Sequence, residues 1–339
     1  MTTVWVVIIA GLAACGVSAG LCRQFSESGS RFYLIDRPND RSLHRRPVSR
    51  SGGVAILGGL LVGMVIAAGM VGSIDWLCLF GAALPVIAIS WLDDRHTVRA
   101  AIRLLIHLSA ALLLIIAIDL PLWAKLNGEI IRIVVLSVLI LSVVWMTNLY
   151  NFMDGMDGLA GSMTIIGVTT LALVGYRQPA FVALAGLLVA STIGFLIFNW
   201  HPARLFMGDT GSATLGFMIA GLALWADRDG LLPLWLAMLA FAPFIVDATV
   251  TLLRRMLAGE KIWQAHRSHS YQRLSLSGQG QELTVVLYII LMLICSLTVL
   301  LIAAGQVSAP VAVAVWLVVF GGLWGSIEWL SRSTTATAS

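Results

Sequence analysis

Charge is what this sequence has least of. Of its 339 residues only 11% are Asp, Glu, Lys or Arg, against roughly 25% in ordinary soluble domains, while 59% are apolar and the mean hydropathy is +0.94. That excludes a soluble globular protein and leaves enough apolar chain for ten or eleven segments of the about 20 residues a bilayer requires. A soluble domain on a single anchor is excluded with it. Cysteine is nearly as scarce: Cys15, Cys22, Cys78 and Cys295 lie in or beside apolar runs and form no C-x-x-C pair, so they read as packing residues rather than metal ligands. No basic residue precedes the first apolar run, Arg23 lying on its far side, which reverses the order of a cleavable signal peptide. There is no G-x-x-x-x-G-K-[ST] phosphate loop, no basic stretch interleaved with aromatics to suggest nucleic acid, and no internal repeat.

What is present is a series of apolar runs bounded by charge, Gly or Pro. They predict an all-α polytopic membrane protein of one transmembrane domain, 1–339, with spans near 3–22, 53–72, 76–92, 101–118, 130–147, 159–175, 180–198, 212–225, 231–252, 283–303 and 309–330. The loops between them fall into two sets. One set, near 23–52, 93–100, 148–158, 199–211 and 253–282, holds with the flanking Arg103 and the tail seventeen of the twenty-one Lys and Arg. By the positive-inside bias that set is cytoplasmic, with the N-terminus periplasmic and the C-terminus cytoplasmic. A basic face attracts lipid headgroups and anionic ligands alike, so the charge alone names no ligand.

The scarce acids gather on the same face. Asp93 and Asp94 follow an apolar run directly, and adjacent carboxylates at a membrane surface repel unless a cation or proton intervenes; a solvated loop end beside Arg95 and Arg99 is the plainer alternative. Asn148, Asn151, Asp154 and Asp157 recur at intervals of three in Asn148-Leu-Tyr-Asn-Phe-Met-Asp-Gly-Met-Asp-Gly-Leu-Ala. Gly155 and Gly158 predict that the helix ends there and the backbone turns to present amides and carboxylates. In Phe198-Asn-Trp-His-Pro-Ala-Arg-Leu-Phe-Met-Gly-Asp-Thr-Gly-Ser212, Asp209 and Ser212 stand at a helix start, where free amides favour anions, although Asp209 or Thr210 could simply cap the helix. His266, Arg267, His269 and Arg273 form a group suited to a diphosphate or to lipid headgroups. The arginines of the first loop, with Pro47, Gly52 and Gly53 at its end, fit a polyanion or the positive-inside bias equally.

Three further features carry less. Asp247 lies within a predicted span, where a carboxylate needs a partner; Arg254, Arg255 or the site itself could supply one. His107 reads as a packing histidine. The Gly59-x-x-x-Gly63 and Gly321-x-x-x-Gly325 spacings read as helix contacts.

Asp, Asn, His and Arg clusters on one face, without a nucleophile triad or phosphate loop, suit metal-assisted phosphoryl transfer. At these residues the chain resembles the polyprenyl-phosphate N-acetylhexosamine-1-phosphate transferases: in the Asp93-Asp94 pair, 148–160, Phe206-Met-Gly-Asp-Thr-Gly-Ser212 and the histidine segment. The Pro47-Val-Ser-Arg-Ser-Gly-Gly53 and His266-Arg-Ser-His-Ser-Tyr-Gln-Arg273 segments are similar to the O-antigen-initiating branch rather than the peptidoglycan branch. The resemblance implies transfer of an N-acetylamino-sugar 1-phosphate from a UDP-sugar to undecaprenyl phosphate in the bacterial inner membrane, with release of UMP, Mg2+ (or Mn2+) as cofactor, and a homodimer. It further implies Asp209 as metal ligand with Asp93 or Asp94 nearby, and one of that pair as base. Asn148, Asn151, Asp154, Asp157 and Asn199 would position the nucleotide diphosphate, Phe206 would stack on uracil, and Arg50, His266, Arg267 and His269 would contact phosphates. The rival of another class, a secondary transporter or lipid flippase, would place its polar residues near the membrane midplane with repeat symmetry.

Overall fold

The computed structural model describes residues 2–27, 29–30, 32–36, 47–121, 123, 126–261 and 266–337; the arginine-rich stretch 37–46 lies outside them. Backbone groups within lipid must be satisfied inside their own segment, so apolar runs of this length become helices. They are α1 (Thr2–Ser26), α2 (Gly52–Val71), α3 (Ile74–Arg95), α4 (Ala100–Ile118), α5 (Glu129–Met153), α6 (Leu159–Val174) and α7 (Pro179–Asn199). After them come α8 (Gly208–Arg228), α9 (Leu234–Ala240), α10 (Ala242–Leu257), the short α11 (Ser270–Leu274), α12 (Gly280–Ala303) and α13 (Ala309–Thr337). The sole sheet among the described residues is an antiparallel pair, β1 (Ile35–Asp36) and β2 (Val48–Ser49).

Every expected span falls on helix, but fewer than eleven qualify as crossings. Among the described residues eight helices are long and apolar enough to cross a membrane, nine if one bent pair counts as a span. The bent pair is α9 and α10, expected as one straight span over 231–252 and instead turned by 87°. Pro243 explains the break: it stands in the first turn of α10, where a missing N–H is harmless, and could not sit inside a continuous helix without disrupting it. α6 has only 16 residues, and α8 opens with Asp209, Thr210, Ser212 and Thr214, which lower its apolar content.

α8 is the hub of the bundle, buried almost continuously from Thr210 to Ala226. Small residues make this possible. A Cβ on Gly216 would lie 2.6 Å from the Met146 carbonyl oxygen of α5, and one on Gly53 of α2 would lie 2.2 Å from the Gly211 amide nitrogen, so both neighbours press backbone to backbone on α8. Gly59 and Gly63 meet α1 at Ala14 as their spacing predicted, whereas Gly321 and Gly325 have nothing within 4 Å. Outward side chains such as Val65 and Ile116 are exposed, as a lipid-facing surface requires. The four cysteines are free, with Cys22 and Cys295 buried, and His107 is buried against Asn148.

Candidate active site

Asp93 and Asp94 end α3 and diverge. Asp94 is 3% exposed, and its carboxylate accepts the backbone N–H groups of Asp209 and Thr210, each at 2.9 Å, and the Thr210 hydroxyl at 2.5 Å. It therefore caps α8 from a neighbouring helix, meeting the unpaired amides and positive dipole end of that terminus. Its own backbone carbonyl accepts a guanidinium N–H of Arg50 at 2.5 Å. Asp93 points elsewhere: one oxygen accepts the Val98 N–H at 2.7 Å and the other pairs with Arg103. The same Nη1 of Arg103 stands 3.0 Å from Asp209. One guanidinium thus bridges Asp93 and Asp209.

The turn after α5 brings further carboxylates to this place. Burial, and then the charges of Asp209, Asp94 and Asp157, push the Asp154 carboxyl well above the usual carboxylate range. Asn151 donates to Ser212 at 3.0 Å, on the first turn of α8. Asp157 accepts from the Ala203 amide at 3.0 Å and pairs with His201 at 2.8 Å. Asn199 is 3% exposed with both ends of its amide engaged, accepting the Gly158 N–H at 2.9 Å and donating to the Leu205 carbonyl at 3.0 Å; it staples two loops rather than facing a ligand. Asn148 donates to Val144 of its own helix and contacts His107, outside the carboxylate group. The first loop is tied in through the backbone, since Phe206 donates to Ser49 and accepts from Gly52; the Phe206 side chain is half-buried.

The histidine segment closes the site from another side. The Tyr271 hydroxyl donates to the Phe152 carbonyl at 3.1 Å, and a Cβ on Gly155 would fall 2.2 Å from that hydroxyl, so the segment lies directly on the Asn/Asp turn. Arg267 is exposed. His266 is not the cation its neighbours suggest: burial, then His269, Arg255 and Arg254, lower its pKa to about 4. It is a neutral imidazole at pH 7, with Nδ1 facing the Ser268 hydroxyl at 2.8 Å. His269 is 3% exposed, ringed by Phe152, His266 and Tyr271.

The donor set fits a magnesium ion. Among the described residues no three His, Cys, Asp or Glu side chains already form a metal group, but Asp93 and Asp209 share a single cation, and Mg2+ is commonly held by one or two carboxylates together with waters and substrate phosphates. Arg103 escaped sequence reasoning except as a positive-inside charge. Its signal was its position near the start of α4, where a cation opposes the helix dipole and so implies an acidic partner.

Residues 76–227 match the model of glycosyl transferase family 4. The chain is 28% identical to the probable undecaprenyl-phosphate N-acetylglucosaminyl 1-phosphate transferase of Bacillus subtilis, over 84% of this chain and 82% of that protein. It is 26% identical to the decaprenyl-phosphate N-acetylglucosaminephosphotransferase of Mycobacterium leprae, over 81% and 80%. A phospho-N-acetylmuramoyl-pentapeptide-transferase of Heliobacterium modesticaldum is 38% identical across 43% of this chain and 45% of its own. The family-model match runs through the paired aspartates, the Asn/Asp turn and the start of α8, and over four-fifths of its length the chain is similar to polyprenyl-phosphate N-acetylglucosamine-1-phosphate transferases.

Proposed function

We propose that this protein transfers an N-acetylamino-sugar 1-phosphate from a UDP-sugar to undecaprenyl phosphate, giving undecaprenyl-diphospho-sugar and UMP, as the first step of O-antigen or a related surface glycan. The observation that carries this reading is the convergence of Asp93, Asp154, Asp157 and Asp209, with Arg50 and Arg103, at one end of the helices. Phosphoryl transfer needs positioning and charge neutralisation more than covalent chemistry from the protein, and this group offers both.

An oxygen of the lipid phosphate attacks the β-phosphorus of the UDP-sugar; the bond from that phosphorus to the bridging oxygen breaks, and UMP leaves with the oxygen. A phosphomonoester with its second pKa near 6 is largely ionised at pH 7, so no strong base is required and direct in-line attack is favoured over an aspartyl-phosphate. Asp93 and Asp209 would hold a Mg2+ ion, which would supply charge neutralisation on the diphosphate. Asp94 keeps the α8 terminus in place, and Asn199 and Asp157 hold the loops around it. Arg103, released from the carboxylates, and Arg50 and Arg267 are donors for phosphate oxygens, with His266 as a neutral hydrogen-bonding partner. Phe206 provides a ring for uracil. An apolar pocket lined by Met146 and Leu149 of α5, Ile219 of α8, and Leu234, Phe241 and Ile245 around the bend suits the polyprenyl chain. It shares α5 with Asn151.

The site is assigned to the cytoplasmic face of the inner membrane because the basic loops lie there. Two relatives matching more than four-fifths of the chain carry N-acetylglucosamine in their names, whereas the pentapeptide-transferase match covers less than half, which supports a simple amino sugar over a peptide-bearing one. The test is purified protein with undecaprenyl phosphate, Mg2+ and a panel of UDP-amino sugars, following UMP and the lipid product. UMP release that requires both substrates and Mg2+ is expected; release undiminished in Asp209→Ala protein would overturn the metal assignment. Substrate movement across proteoliposomes without chemistry would favour the transporter.

A further inference from the structure

Asp247 of α10 is 4% exposed and takes no part in the chemistry above. Neither nearby arginine pairs with it: Arg254 binds Glu328 at 2.9 Å and Arg255 binds Glu260 at 3.2 Å. Instead its carboxylate accepts four hydrogen bonds. One oxygen takes the Ser270 N–H at 2.7 Å and the Thr251 hydroxyl at 3.2 Å; the other takes the Tyr271 N–H at 3.0 Å and the Tyr288 hydroxyl at 2.6 Å. His269 Nδ1 stands 3.7 Å from the first oxygen, within ion-pair distance. A buried carboxylate with this many donors is held rigid, because each donor satisfies an acceptor that water cannot reach.

The contacts continue to the active site. Ser270 and Tyr271 directly follow the His266–His269 segment, and Tyr271, fully buried, donates to Phe152 and abuts Gly155, the residue after Asp154. We propose that Asp247 is a positioning residue, whose carboxylate latches the histidine segment from α10 and α12 so that His266 and Arg267 are presented to the diphosphate over the Asn/Asp turn. This rests on the transferase reading for its catalytic consequence, but the latch itself has a physical signature independent of turnover.

The test uses the full chain in detergent as Asp247→Asn and as the milder Tyr288→Phe, which removes one donor without changing fold or volume. In hydrogen–deuterium exchange the peptide carrying Ser270 and Tyr271 is expected to exchange on the order of tenfold faster in Asp247→Asn, and less so in Tyr288→Phe, while peptides of α5 and α8 keep wild-type rates. With UDP-N-acetylglucosamine and undecaprenyl phosphate, the KM for the nucleotide sugar is expected to rise about tenfold with kcat changed far less, as for loss of uniform binding. The double variant Asp247→Asn with His266→Ala should lose less than the product of the two single losses, because both act through one segment. Wild-type exchange in both variants, or losses that multiply in the double variant, would overturn the latch. If Asp247→Asn does not fold, Tyr288→Phe decides it. Absence of UMP release by the wild-type protein would count against the transferase reading, and the exchange experiment would still decide the latch.

Discussion

Asp93 and Asp94 are adjacent in the chain and have the same side chain, yet one faces a cation and the other a helix terminus. The Arg103 guanidinium stands between Asp93 and Asp209, so under the proposed metal assignment arginine and metal would compete for the same two carboxylates. In Arg103→Gln protein without substrate, Mn2+ binding followed by electron paramagnetic resonance should tighten about tenfold, roughly 1.4 kcal/mol, even as turnover falls. Unchanged or weaker binding would show that Arg103 does not occupy the metal's place. His266 makes a different prediction. Its pKa is lowered from 6.5 to about 4, so the unfolded chain takes up a proton below about pH 6.5 while the folded one does not until about pH 4. The group contributes nothing above that window and costs stability as pH falls through it. Melting temperatures of His266→Gln protein should therefore decline less steeply than wild type between pH 6.5 and 4, and its pH–rate profile should keep the wild-type shape above pH 6.5. A rate profile that loses an inflection near neutrality in this variant would show a titrating catalytic histidine instead.

At the level of elements, the site depends on how closely α2, α3 and α5 approach α8. Asp94 reaches the α8 amides, and Asn151 reaches Ser212, because glycines leave no side chain between the backbones. Gly216→Val would drive a branched side chain into the Met146 carbonyl at 2.6 Å or closer and should cost about 1 to 3 kcal/mol. Thermal unfolding in detergent measures this, and an unshifted midpoint would show that α5 and α8 can part without penalty. The bend between α9 and α10 has a comparable role: it directs Asp247 toward α11 and leaves the apolar pocket beside α5. Neither a straight span nor a pair of unrelated short helices would do both.

At the level of the whole molecule, polar clusters from five loops spread over more than two hundred residues meet at one end of the bundle. The basic bias of those loops is the basis for proposing that this end faces the cytoplasm. Arg267, exposed in the histidine segment, is the place to test it. In Arg267→Cys protein a membrane-impermeant maleimide should label inverted vesicles and not right-side-out cells, with the buried Cys22 and Cys295 silent in both; labelling from outside the cell would reverse the orientation. Composition and apolar run length alone determined that this is a helical membrane protein, because a bilayer admits so few backbone solutions. The Asn/Asp spacing and the Gly-flanked Asp209 likewise marked where its polar chemistry gathers. What the sequence could not separate were residues of one type with different partners: Asp93 from Asp94, a stapling Asn199 from a ligand-facing one, Arg103 from any other basic residue, and Asp247 from a pair with its arginine neighbours. Those distinctions come from contacts between helices distant in sequence, and only the packing of the bundle decides them.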